Sequence, residues 1–119
     1  MSIHDDFVRG YIGCALWASI DESGEPLDRK FDISDIDSET VSEMIFECEK
    51  FIAENETWLE MTGCDYSQHG HDFWLTRNHH GAGFWDRGYG DSGEILTDAA
   101  HAYGEVNLYV GDDGMIYQG

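Results

Sequence analysis

Apolar residues recur along this chain with two different periods, and the switches between them mark its elements. Over residues 3–19, Phe7, Tyr11, Cys14 and Ala18 fall at helical spacing, and Val8, Ile12 and Ala15 widen the stripe. Ser2 is placed to cap this helix, with Asp5 three residues later, and Asp6 suits the positive end of its dipole. Gly10 and Gly13 weaken the helix but let another element approach closely. Residues 21–26, DESGEP, have turn composition and hold the only proline. Residues 27–37 then place Phe31, Ile33 and Ile36 in rough alternation, which fits a short edge strand or an extended connection.

The second helix has the strongest pattern. Asp37 or Ser38 caps it, and Val41, Met44, Ile45, Cys48, Ile52 and Leu59 form a stripe that runs to about Met61, with Gly63 closing it. Its other faces are acidic. Glu39, Glu43, Glu47 and Glu54 lie on one line and Glu49, Glu56 and Glu60 on another, interrupted only by Lys50. Like charges one turn apart oppose a helix by a few tenths of a kcal/mol each, so burial of the apolar stripe has to override them.

From residue 69 to 90 the pattern changes. Phe73 and Leu75 alternate with Trp74 over 72–76, which predicts a strand; 77–83 has turn composition and 82–86 reads as the returning strand. Residues 91–103 predict a third helix with Ile95, Leu96, Ala99 and Ala102 inward and Gly104 at its end. Residues 106–110 and 115–117 flank GDDG, a hairpin turn read as type I′. The expected fold class is therefore α+β: a four-stranded antiparallel sheet of two hairpins, packed on two or three helices in a single domain of residues 1–119. Phe73, Leu75, Phe84, Leu108, Val110 and Ile116 are expected to point from that sheet into the core.

Charge changes the functional picture more than length does. The chain has 119 residues, 25 acids against six Lys and Arg, and a formal charge of −19. Such a balance disfavours direct nucleic-acid binding and anionic membrane surfaces, since both are polyanions. No apolar run approaches the ~20 residues of a spanning helix, and no signal peptide opens the sequence, so a cytoplasmic protein is expected. Three cysteines without a CxxC pair predict reduced thiols, Cys14 and Cys48 inside and Cys64 in a polar turn.

Candidate chemistry concentrates in 69–90, which holds four of the six histidines and two of the four tryptophans. His69, His71 and His80 with Asp86 have the donor types of a transition-metal site, although no recognised metalloenzyme spacing accompanies them. Solvated or structural histidines are the plainer reading, and neither a catalytic residue nor a cofactor is assigned. Arg77 and Arg87 could grip an anion or pair with Asp72, Asp86 or the helix acids; pairing is preferred. Trp74 and Trp85 are read as core or as partner contacts rather than as a stacking platform for bases.

The segments HDFWLTRNHHGAGFWDRG (71–88) and NLYVGDDGMIY (107–117) resemble the C-terminal half of small phage and mobile-element proteins without an assigned activity. The resemblance implies a setting and no reaction. In that setting the rows of glutamates gain a meaning: carboxylates one helical turn apart, about 6 Å along the axis, repeat at a spacing comparable with that of backbone phosphates. The expected function is inhibition or modulation of a host nucleic-acid-binding protein, such as a restriction- or CRISPR-type complex, by nucleic-acid mimicry. Glu39, Glu43, Glu47 and Glu54 would be the centre of the surface, with Trp74 and Trp85 as apolar anchors. A small metal-binding protein or metalloenzyme, and an acidic interaction domain without mimicry, are the alternatives.

Overall fold

The computed structural model describes residues 3–80 and 83–119. Its order is α1 (Ile3–Ala18), α2 (Ser38–Thr62), α3 (Tyr66–Arg77), α4 (Asp91–His101), then strands β1 (Leu108–Val110) and β2 (Ile116–Gln118). Ser2, and with it the expected cap of α1, lies outside the described residues.

The fold is mostly helical, and the expected four-stranded sheet is not formed. Among the described residues, those read as the first hairpin are instead the end of α3 and a single 3-10 turn, Phe84–Asp86. Ala82 of the expected returning strand lies outside the described residues. The physical reason is burial of its second half on all sides. Every residue from Asp72 to Arg77 is buried, so that half of α3 has no polar face from which a helical period could be read. Short apolar runs of this kind do not distinguish strand from helix. Its start was nevertheless written in the chain: the Asp65 side chain accepts from the Gln68 N–H at 2.8 Å, a capping arrangement with Asp and Gln three apart.

Helix α3 is central, with α1 across it, α4 and the 84–86 turn beside it, and α2 against α1 and α4. The crossing of α1 and α3 is a backbone contact. A methyl group at Gly70 would strike the Phe7 carbonyl, and one at Gly10 the Ser67 carbonyl. Around this crossing an aromatic core forms, with Phe51 of α2 stacked on Phe73 of α3 at 4.2 Å and Phe7 within 6.0 Å of both.

Asp37 caps α2 by accepting from Glu39 and Thr40, and Gly63 ends it in the left-handed conformation (φ 71°). The helix is interrupted at Asn55 (φ −128°), whose side chain donates to the Phe51 carbonyl at 3.0 Å. Residues 27–37 form two 3-10 turns, Leu27–Arg29 and Ile33–Asp35, rather than a strand, and add only an isolated bridge from Ile36 to Ile116.

The second hairpin is present. β1 and β2 are antiparallel with Tyr109 opposite Tyr117, and Leu108 and Ile116 face the core as expected. Val110 does not; it is exposed. The turn is not type I′, because neither Asp112 nor Asp113 has positive φ. Gly114 alone takes the left-handed position (φ 81°), as in a type I turn followed by a bulge. Among the described residues no helix is long and apolar enough to cross a membrane.

Candidate functional site

The outward side of α2 carries the acids, but they are not equivalent. Glu39 and Glu43 are exposed, as are Glu49, Glu56 and Glu60 on the neighbouring line. Glu47 is held in place: its carboxylate accepts from Arg77 at 3.1 Å and from the Gln118 side chain at 3.4 Å. Glu54 accepts from the Tyr103 hydroxyl at 3.0 Å. Of the four glutamates expected at the centre of the surface, two therefore also serve the fold.

The sequence pattern missed one residue on this face. Phe46 is 67% exposed. Glu43 precedes it by three residues and Glu49 follows it by three, so carboxylates flank it on the same side of the helix. Hollows open on either side. One, of about 460 Å³, is walled by Ser42, Glu43 and Gln118; the other, of about 490 Å³, by Lys50, Glu54, Ala99 and Tyr103. Lys50 lies over the Tyr103 ring at 5.6 Å. The available signal was that Phe46 stands off the apolar stripe of α2, where a buried aromatic has no reason to be.

Two of the cations are committed to partners within the fold. Arg77 is buried and donates to four oxygens: Glu47, the Tyr11 hydroxyl (3.0 Å), and the carbonyls of Tyr103 and Gly104 (2.9 Å each). Arg87 grips the fully buried Asp72 with both ends of its guanidinium, at 2.8–3.2 Å, and Gln68 donates to the same carboxylate at 2.9 Å. Pairing, rather than anion capture, is the arrangement both arginines adopt.

The two tryptophans part company. Trp74 is buried, edge-on to Tyr11 at 5.4 Å, and offers no surface to a partner. Trp85 is 57% exposed, in a hollow shared with Thr97 and Asp98 of α4 rather than with the acids of α2.

The four expected metal donors are dispersed. His69 is fully buried, with Nε2 2.9 Å from the Thr62 hydroxyl and its ring against the edge of Tyr66. Burial lowers its pKa, outweighing the nearby Asp72 and Asp65 carboxylates, which favour protonation. His71 lies against the Trp17 ring at 5.9 Å, whereas His80 and Asp86 are exposed. Elsewhere His79 stacks on His101 at 4.4 Å. Among the described residues no group of three or more His, Cys, Asp or Glu side chains is arranged to hold a metal. Cys14, Cys48 and Cys64 are free thiols; burial pushes Cys14 up to about 12, and Cys48 is raised for the same reason, so neither is a poised nucleophile.

No family model, curated protein or solved structure matches this chain.

Proposed function

We propose that the protein works by binding a basic, nucleic-acid-handling host protein through the exposed acids of α2, in the cytoplasm of a cell infected by the phage that encodes it. A restriction- or CRISPR-type complex is the partner class that fits. The observation that carries the reading is the division of labour among charges. Arg77 and Arg87 are turned inward onto Glu47 and Asp72, while Glu39, Glu43 and Glu49 face solvent around an exposed Phe46. Among the described residues, no ion pair reaches those three acids.

Rows of fixed carboxylates supply long-range attraction and a fast on-rate, and an aromatic side chain at their centre supplies the desolvated contact that charge alone lacks. The centre of the surface is thus Glu39, Glu43, Phe46 and Glu49, with Glu47 and Glu54 as supports. The 69–90 segment contributes at most Trp85.

Each exposed glutamate is worth under about 1 kcal/mol by itself. The decisive variant is therefore the combination Glu39→Lys, Glu43→Lys and Glu49→Lys, with Phe46→Ala made separately. Partner captured from host lysate should be lost by the triple variant and weakened about tenfold or more by Phe46→Ala, while both variants keep the wild-type amide spectrum. DNA or RNA should displace the protein from that partner. Simultaneous, independent binding of nucleic acid and this protein would remove mimicry and leave an acidic interaction domain; retention by the triple variant would remove α2 altogether.

A further inference from the structure

Helix α2 is interrupted at Asn55, a buried polar residue with one of its two groups unused. Asn55 is 7% exposed. Its Nδ2 donates to the Phe51 carbonyl at 3.0 Å, which fixes the orientation of the amide, and among the described residues nothing donates to its Oδ1. That oxygen is not sealed in. The sealed side-chain atoms without a partner are Tyr66 Oη, His69 Nδ1, Trp74 Nε1 and Gln118 Oε1. The little surface that Asn55 keeps therefore includes Oδ1, and Asn55 lines the hollow of about 490 Å³ between α2 and α4.

The same hollow collects acceptors. Glu47 and Glu54 also line it, and each commits one oxygen to the fold. Glu47 Oε1 accepts from Arg77 and Gln118, and Glu54 Oε1 accepts from the Tyr103 hydroxyl at 3.0 Å. Those bonds hold the two carboxylates in place, while both Oε2 atoms are without a hydrogen bond among the described residues. Three lining residues thus have an unused acceptor. Aromatic surface accompanies them, from the exposed Phe46 and from Tyr103. The one base of the hollow is Lys50, whose ammonium lies 5.6 Å from the centre of the Tyr103 ring, so that ring already holds a cation.

We infer that this hollow receives one arginine side chain of a basic partner protein, with its guanidinium on the Tyr103 ring in place of the Lys50 ammonium, donating to Glu54 and to Asn55 Oδ1 while Phe46 covers its stem. A guanidinium is planar, weakly hydrated, rich in donors and without an acceptor, which matches a lining of acceptors and rings. An apolar side chain would leave Asn55 Oδ1 buried and unpaired, and a lysine ammonium, compact and strongly hydrated, reaches fewer of the acceptors. Lys50 is exposed on a flexible stem and can swing away. This arginine site rests on α2 being the partner-binding face, and it names the side chain which that face captures.

The full chain is titrated with three pentapeptides, identical except for a central arginine, lysine or citrulline, the last a neutral analogue of arginine. The Asn55 side-chain amide and the Tyr103 ring are followed by NMR. The arginine peptide should shift both signals and bind about tenfold more tightly than the other two. Glu54→Gln, which keeps an acceptor for Tyr103, should weaken that binding about fivefold or more. Lys50→Met, which removes the resident cation, should tighten it. Asn55→Leu should weaken it about tenfold, and if that variant fails to fold the peptide series on the wild type still decides. Equal binding of the lysine peptide would overturn guanidinium recognition, and equal binding of the citrulline peptide would overturn the charge pairing. Weaker binding by Lys50→Met would overturn displacement of the ammonium, and shifts that spare Asn55 and Tyr103 would overturn the site. Failure here is distinct from failure of the α2 face. If the arginine peptide does not bind while the Glu39, Glu43 and Glu49 triple variant still loses the partner, the hollow alone is removed. If the peptide binds while the triple variant retains the partner, the hollow stands without that face.

Discussion

His69, Asp72 and Arg77 show how residues that look like surface chemistry become structural once buried. Asp72 and Arg77 are fully paired, because an unpaired polar group in a core costs about 1–3 kcal/mol, whereas His69 is held through Nε2 alone and its Nδ1 is buried without a partner. Arg77 is the fullest case: two of its bonds go to the Tyr103 and Gly104 carbonyls just past α4. His69 carries a consequence for pH. Burial lowers its pKa, so the native state disfavours the imidazolium, while the unfolded chain takes up a proton near its ordinary value of about 6.5. Below that value the unfolded state binds more protons, and stability falls with pH until the folded pKa is passed. Urea unfolding at pH 7.5 and 5.0 should therefore show a smaller acid-induced loss in His69→Gln than in the wild type; equal losses would mean that His69 charges freely in the fold.

At the scale of elements, the crossing of α1 and α3 sets the architecture, and two glycines permit it. Gly10 is expected from the sequence to allow a close approach and does so; its counterpart Gly70, to which the sequence pattern assigns no role, is the other half of the contact. Gly13 was given the same role, yet nothing lies within 4 Å of where its Cβ would be. The three alanine variants should therefore separate sharply. Gly70→Ala and Gly10→Ala force α1 and α3 apart and should each cost about 3 kcal/mol or more, the upper end for overpacking. Gly13→Ala should stabilise by up to about 1 kcal/mol through helix propensity. Denaturant midpoints report both, and a neutral Gly70→Ala would mean that the helices do not cross as closely as described.

For the whole molecule, a net charge of −19 with two of six bases, Arg77 and Arg87, already committed to ion pairs within the fold makes self-repulsion a standing cost of folding. The Debye length falls to about 3 Å at 1 M salt from about 30 Å at 0.01 M, so sodium chloride should stabilise the fold. Between 20 mM and 500 mM the thermal midpoint should rise by roughly 4 °C or more, equivalent to about 1 kcal/mol; an unchanged midpoint would mean the acids are too dispersed to repel. What the sequence determined by itself were the elements whose signals are local. The caps and stripe of α2, the helical spacing of α1, and the glycine-bearing turn before β2 each depend on neighbours within a few residues, and each stands in the fold; α4 forms too, but Ala102, expected inward, is exposed and Ala100 is buried in its stead. The charge of the outward α2 face was legible for the same reason. What tertiary structure alone decided was the identity of 66–77. Its second half, 72–77, is enclosed on every side and shows no amphipathic period, and the segment's histidine, aspartate and arginine look like a site until partner groups arrive from Tyr11, Glu47, Thr62 and Arg87. Those partners lie up to 66 residues away, beyond the reach of any local pattern.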